Sequence, residues 1–359
     1  MSEDMVNSVL IYASIALITS LFSELSVKVK NKWIRGFCLL LTLFIPSFFA
    51  GVRYGIGTDY FAYERIFNNL KCGYEVRTEF GYNLINYLIA KLGGNIQHVF
   101  FVVSLLTILF MYLSLYEYKD KISVGLGIFV FMLLYYQSSY NGVRQFLAVS
   151  LCLFSLKYIF RRKILKFLIV IILAASFHLP SIILLPMYFL YKIIGEKPRW
   201  VLQILYYIVL FLIVLNHEII GLKFLDLFPP LERYRIYLSN KGTFDLGFGI
   251  IALNLPYILP GLVFFKKLKQ YDNRFTFFCI CFNTGLILRF LGYFGNPYIH
   301  RISLYFLIVI VILVPYYFRI RKDFALVINY CLILFIIFIW YYEYFFLGYH
   351  ETIPYNWIF

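Results

Sequence analysis

The stretch Ala50-Gly-Val-Arg-Tyr-Gly-Ile-Gly-Thr-Asp-Tyr-Phe-Ala-Tyr63 decides how this chain is read. It follows directly on an apolar run long enough to cross a bilayer, yet it carries Arg53 and Asp59, with Gly55 and Gly57 between them. Charges are costly inside hydrocarbon, so the chain has left the membrane here. We read it as the start of a polar loop, residues 52–97, on the outer face of a multi-pass membrane protein.

The composition outside this stretch supports that reading. Of 359 residues, 62% are hydrophobic and 14% charged, with a mean hydropathy of +0.80. That is too little polar surface to cover a soluble globule of this length. Apolar runs of about 20 residues suit a bilayer core, and such runs recur with only short polar interruptions. The expected fold is therefore all-α, one integral membrane domain over 1–359 with about twelve spans.

The net charge of +15 does not point to nucleic acid, because most of the 33 Lys and Arg fall in short clusters between apolar runs. Lys28, Lys30, Lys32 and Arg35 form the first cluster; Lys119 with Lys121, Arg161 to Lys163, Lys266 to Lys269, and Arg319 to Lys322 follow. Excess Lys and Arg mark cytoplasmic loops. The alternation leaves two long outer loops, 52–97 and 216–247, and puts both chain ends outside. The run from Ile164 is broken at Phe177-His-Leu-Pro-Ser181 and is read as two short helices meeting near the outer side. Five of the six cysteines lie in apolar runs and only Cys72 sits in a polar loop, which excludes a disulfide framework. The 33 Tyr and 40 Phe have two readings, codon bias or aromatic faces that stack on sugars.

Several outer-side residues are candidates for chemistry. Thr58-Asp59 reads as the cap and first turn of a short helix, a structural role sufficient for Asp59. Thr78-Glu79 likewise opens a stretch with Phe80, Leu84, Ile85, Leu88, Ile89 and Leu92 on one side, as in a helix lying in the membrane interface. Arg53 at the end of a span either snorkels to the surface or serves the site. Asn141 reads as the cap of the fifth span, which sets Arg144 in its electropositive first turn and calls for an anion. Arg301 repeats that situation and Arg289 stands near the outer end of a span. Helix starts with arginine forks bind phosphate; the alternative for each arginine is a carboxylate or headgroup partner. His178, at the break before Pro180, either caps a helix or accepts a proton. His300 is the reserve histidine, while His98, His217 and His350 read as loop residues. No sequence pattern points to a bound metal, ATP or a serine nucleophile, and no cofactor is expected.

Four motifs in register, Gly51 to Tyr63, Glu79-Phe-Gly-Tyr82, Asn141-Gly-Val-Arg-Gln-Phe-Leu-Ala148 and Phe177-His-Leu-Pro-Ser181, resemble the EpsG-like family of bacterial polysaccharide polymerases, within the Wzy class. The resemblance is clear over the first half and weaker over the second, where Arg301-Ile-Ser-Leu-Tyr305 carries it. It implies a GT-C-like helical fold in the cytoplasmic membrane. The implied activity is joining undecaprenyl-pyrophosphate-linked oligosaccharide units at the outer face, beside a flippase and a chain-length regulator. On this reading Arg144, with Asn141 and Gln145, holds pyrophosphate without a metal, and Arg289 and Arg301 join it on their charge and position rather than on a motif match. His178 is the base, and Arg53, Asp59 and Glu79 position the acceptor sugar. A flippase for the same lipid, a membrane acyltransferase, and a glycosyltransferase using a lipid monophosphate remain rival expectations.

Overall fold

Helix boundaries follow from local capping. In the computed structural model, α1 spans Glu3–Lys28 with Glu3 and Asp4 in its first turn and Lys28 in its last, the order the helix dipole favours. Asn31 starts α2 (Lys32–Val52): its side-chain oxygen accepts from the N–H groups of Trp33 at 2.9 Å and Ile34 at 3.3 Å. In the polar loop, α3 covers Tyr60–Lys71 and α4 covers Phe80–Lys91. A reciprocal cap between Asn95 and His98 opens α5 (Ile96–Tyr116), so His98 belongs to a helix start rather than a loop. The structure describes residues 3–196, 199–227, 235, 248–295, 297–320 and 323–359.

The chain continues as α6 (Val124–Phe131) with a π turn over Met132–Tyr136, α7 (Val143–Phe160) and α8 (Ile164–Phe177). His178 ends α8 in an extended conformation, and a 3-10 turn over Leu179–Leu184 follows. Then come α9 (Pro186–Leu190), α10 (Trp200–Leu215), α11 (His217–Leu227) and α12 (Phe248–Val263). The last helices are α13 (Phe265–Tyr271), α14 (Phe275–Gly295), α15 (Pro297–Leu307), α16 (Ile310–Tyr317) and α17 (Asp323–Tyr341). His217 therefore opens a helix. Most of the second expected loop, 216–247, lies outside the described residues.

Five helices are long and apolar enough to cross a membrane, or up to seven if each of two bent pairs is one span. The stretches Val124–Tyr136, Ile164–Phe177, Leu179–Gly195, Leu253–Val263 and Phe275–Phe290 are apolar helices of 10–17 residues. These fall short of the roughly 20 residues a full crossing takes, so the expected count of twelve is not established. Leu10, Leu17 and Leu21 on α1, and Leu165, Ile169 and Ile172 on α8, are exposed. Apolar rows of this kind suit lipid rather than water. The same holds on α4, where Phe80, Leu84 and Leu88, with Leu92 just after the helix, face outward while Tyr82 and Asn86 are buried.

The chain forms two compact units, one of residues up to Ile182 with Val314–Phe359, the other Ile183–Leu313. In the first, α2 packs between α1 and α5, α5 also meets α7, and α7 meets α8. The basic loops of this unit share one end. There Ser26 and Tyr112 hydroxyls meet at 2.8 Å, Arg161 pairs with Glu117 at 2.6 Å, and Arg319 donates to the Lys121 carbonyl. The carboxylate of Glu24 accepts from the Ser123 hydroxyl at 2.9 Å and the Gly125 N–H at 2.7 Å.

The other end is closed by residues 347–359, which fold back on the first polar loop. Ile358 N–H donates to the Val52 carbonyl and Tyr54 N–H to the Asn356 carbonyl, each at 3.0 Å, around a single antiparallel bridge between Arg53 and Trp357. Within the second unit, α14 and α15 are pressed together at Gly285, where a Cβ would come within 2.8 Å of the Leu307 nitrogen.

A buried bond at the base of the closing segment sets a test of this packing. Trp340 Nε1 donates to Gln137 Oε1 at 2.7 Å, and Gln137 Nε2 donates to Thr352 Oγ1 at 2.9 Å. Trp340→Phe leaves a buried acceptor unsatisfied, costing about 1–3 kcal/mol. Thermal unfolding in detergent should show a lowered midpoint.

Candidate functional site at the loop end of the first unit

Arg53 ends α2 in an extended conformation, and its side chain turns inward rather than snorkelling. It is 1% exposed. Its guanidinium carbon lies 4.1 Å from the ring centroids of both Phe100 and Tyr140, and Nη2 donates to the Tyr140 carbonyl at 3.1 Å. Burial lowers the Arg53 pKa, opposed by the surrounding tyrosine hydroxyls. Burial also pushes the Tyr140 phenol up to about 12 despite the adjacent guanidinium, so the pair is a cation against a neutral ring. Arg53 thus fixes the short 3-10 turn Ser138–Tyr140, and with it the next residue, Asn141.

Asn141 does not cap α7; Gly142 occupies that position. Its side chain instead joins three segments. Its Oδ1 accepts from the Asp59 N–H in a long 3.5 Å contact, and its Nδ2 donates to the His350 carbonyl and lies 3.1 Å from His350 Nδ1. Its own carbonyl accepts from the Tyr63 hydroxyl at 2.9 Å. The approach is possible because Gly57, at φ +99°, has no side chain: a Cβ there would sit 2.3 Å from Asn141 Oδ1. Asp59 rather than Thr58 occupies the cap position of α3, but its carboxylate makes no capping bond. It makes no ion pair among the described residues.

Arg144 finds the anion its position demands. It is the second residue of α7 and forms a mostly buried ion pair with Glu79, which itself begins α4 without capping it. The Tyr63 hydroxyl also interacts with Arg144; burial raises its pKa and Arg144 opposes this. Tyr63 therefore links the Arg144–Glu79 pair to Asn141. The helices α4 and α8 touch where a Cβ on Gly81 would come within 2.5 Å of Ser176 Oγ, which brings the end of α8, with His178 after it, to the same end of the unit. Gln145 is buried on α7.

Seven of the nine expected site residues thus gather at one end of the first unit: Arg53, Asp59, Glu79, Asn141, Arg144, Gln145 and His178. Arg289 and Arg301 belong to the second unit. Arg289 Nε is buried without a hydrogen-bond partner among the described residues, and Arg301 is exposed with its guanidinium carbon 6.0 Å from the Tyr298 ring. His350, read from sequence as a loop residue, is in contact with Asn141. Its separation of 209 residues from that partner left no local signal to find it by.

The fold and site define a multi-pass helical membrane protein with a polar cluster built at one end of its bundle. The chain belongs to the EpsG family, whose model matches residues 9–357. That places it among membrane proteins of surface-polysaccharide biosynthesis. Neither the curated proteins nor the solved structures compared with it give a match.

Two substitutions separate scaffold from substrate contact. Arg53→Lys loses the planar stack between two rings, worth about 2 kcal/mol when desolvated, and is expected to lower the melting midpoint in detergent with no substrate present. Gly57→Ala forces a strained φ and displaces Asn141, costing about 1–3 kcal/mol; the same melting experiment checks it.

Proposed function

We propose that this protein polymerises surface polysaccharide by joining undecaprenyl-pyrophosphate-linked oligosaccharide units at the outer face of the cytoplasmic membrane. The observation that carries the reading is the placement of the polar cluster at the end of the first unit opposite that unit's basic loops. Loops rich in Lys and Arg stay cytoplasmic, so the cluster faces outward, where lipid-linked units await assembly. In this reading the shorter apolar helices complete a twelve-span, GT-C-like arrangement.

The chemistry is a transfer of the growing glycan from its carrier. The bond between the anomeric carbon and the pyrophosphate oxygen breaks, a glycosidic bond forms to a hydroxyl of the incoming unit, and undecaprenyl pyrophosphate leaves. The hydroxyl proton passes to a base, and the departing oxygens gather negative charge. Arg144, in the first turn of α7, stabilises that charge. Its exchange of Glu79 for a phosphate oxygen opens the site. His178, beside the Arg144–Glu79 corner, takes the proton, a role worth roughly 10²–10⁴ in rate. Asp59 is the carboxylate available to the acceptor sugar. Arg53 acts through Asn141 rather than by touching substrate. A flippase and a chain-length regulator are its expected partners.

Arg144→Ala and His178→Ala, expressed in cells lacking the native gene, should leave single unpolymerised repeat units on the surface while the protein reaches the membrane in normal amounts. A wild-type ladder of chain lengths from both variants would refute the assigned roles. Accessibility labelling of a cysteine placed in 52–97 checks the orientation: protection from an impermeant reagent in intact cells would end the outer-face reading.

A further inference from the structure

The turn at 348–351 is held in a costly conformation. Gly348, His350 and Glu351 all have positive φ, at 66°, 69° and 50°. Non-glycine residues persist in that region only where their surroundings over-determine it, at about 1–3 kcal/mol each. Here the surroundings are specific. Glu351 O accepts from the Gly57 N–H at 3.0 Å, His350 O from Asn141 Nδ2 at 3.1 Å, and Thr352 O from the Tyr12 hydroxyl at 3.0 Å. Every anchor reaches the same polar end that holds Asp59 and Tyr63. The strained residue at the centre carries an imidazole and is exposed.

The network also fixes the chemistry of that imidazole. Asn141 Oδ1 faces the Asp59 N–H, so the amide NH2 faces His350, with Nδ2 3.1 Å from Nδ1. An amide NH2 only donates, so Nδ1 must accept and the proton of the neutral ring sits on Nε2. A ring so held is a neutral N–H donor. On the same two segments, Tyr54, Tyr349 and Trp357 keep exposed ring surface. A neutral donor on segments that also present aromatic faces suits a sugar, whereas pyrophosphate calls for fixed cations such as Arg144.

We propose that segment 347–359 is part of the substrate site, and that His350, fixed by Asn141 as the Nε2–H tautomer, donates a hydrogen bond to a hydroxyl or ring oxygen of the lipid-linked glycan. This rests on the polymerase reading above and names a binding residue that reading lacks. The segment closes on the first polar loop and brings the donor to the acceptor side of the cluster, beside Asp59.

Membranes carrying the full-length protein, supplied with lipid extract from cells lacking the gene, provide the assay, with polymer formation followed against extract concentration. His350→Ala should raise the half-saturating concentration by roughly three- to tenfold, the loss of one neutral hydrogen bond, with little change in saturating rate. His350→Gln, which keeps an N–H at similar reach, should recover most of it. Both variants should melt like wild type, and undecaprenyl pyrophosphate without sugar should inhibit all three equally. Unchanged half-saturation in His350→Ala, with Arg144→Ala inactive, would overturn this inference and leave the polymerase reading standing. Equal defects in the Ala and Gln variants with lowered melting would overturn it in favour of a purely structural turn. Weakened inhibition by undecaprenyl pyrophosphate in His350→Ala would overturn it in favour of a pyrophosphate contact. No polymer from wild type, or full activity in Arg144→Ala, would sink the polymerase reading and this inference with it.

Discussion

The guanidinium of Arg53, closed between the rings of Phe100 and Tyr140, is the constraint on which the loop end of this protein depends. A buried cation loses several kcal/mol of hydration, and no carboxylate pairs with this one among the described residues. What offsets the loss is two negative ring faces and the Tyr140 carbonyl. Phe100 belongs to α5 and Tyr140 to the turn before α7, so the contact ties the end of α2 to two other helices. It also brings Val52 and Tyr54 to the positions where residues 356 and 358 add backbone hydrogen bonds. An arginine met at the end of a span invites a substrate role; here its energetics are those of a scaffold.

That scaffold holds two corners of unlike chemistry. At one, Arg144 and Glu79 share a mostly buried ion pair close to the end of α8 and His178. At the other, Asn141 gathers Asp59 and His350. Tyr63 joins them through one hydroxyl, donating to the Asn141 carbonyl while interacting with Arg144. Under the proposed polymerase function, this division corresponds to the two demands of glycan transfer, charge for a leaving pyrophosphate and directed hydrogen bonds for a sugar. An ion pair there also makes chemical sense, since an uncompensated buried arginine is expensive and Glu79 satisfies it.

The sequence by itself determined the all-helical, membrane-embedded class of the fold and named most of the residues that gather in the first-unit cluster. These are legible because hydropathy, basic clusters and breaks such as Phe177-His-Leu-Pro act over a few residues, and local rules read them. Even there, caps shifted by one position: Gly142 starts α7 where Asn141 was expected, and Asp59 takes the place of Thr58. Backbone direction at a cap is set by neighbours in space. Asn141 is drawn away from α7 by Asp59, Tyr63 and His350.

Only the tertiary structure decided what each charge meets. Glu79 lies 65 residues from Arg144, and His350 lies 209 from Asn141. No periodicity or spacing encodes contacts of that range, because they arise when helices pack and loop ends close. The same packing turned Arg53 from a surface residue into a buried one and made the last residues part of the cluster. A polar side chain in a chain this apolar announces that it must be satisfied; which group satisfies it is a property of the fold.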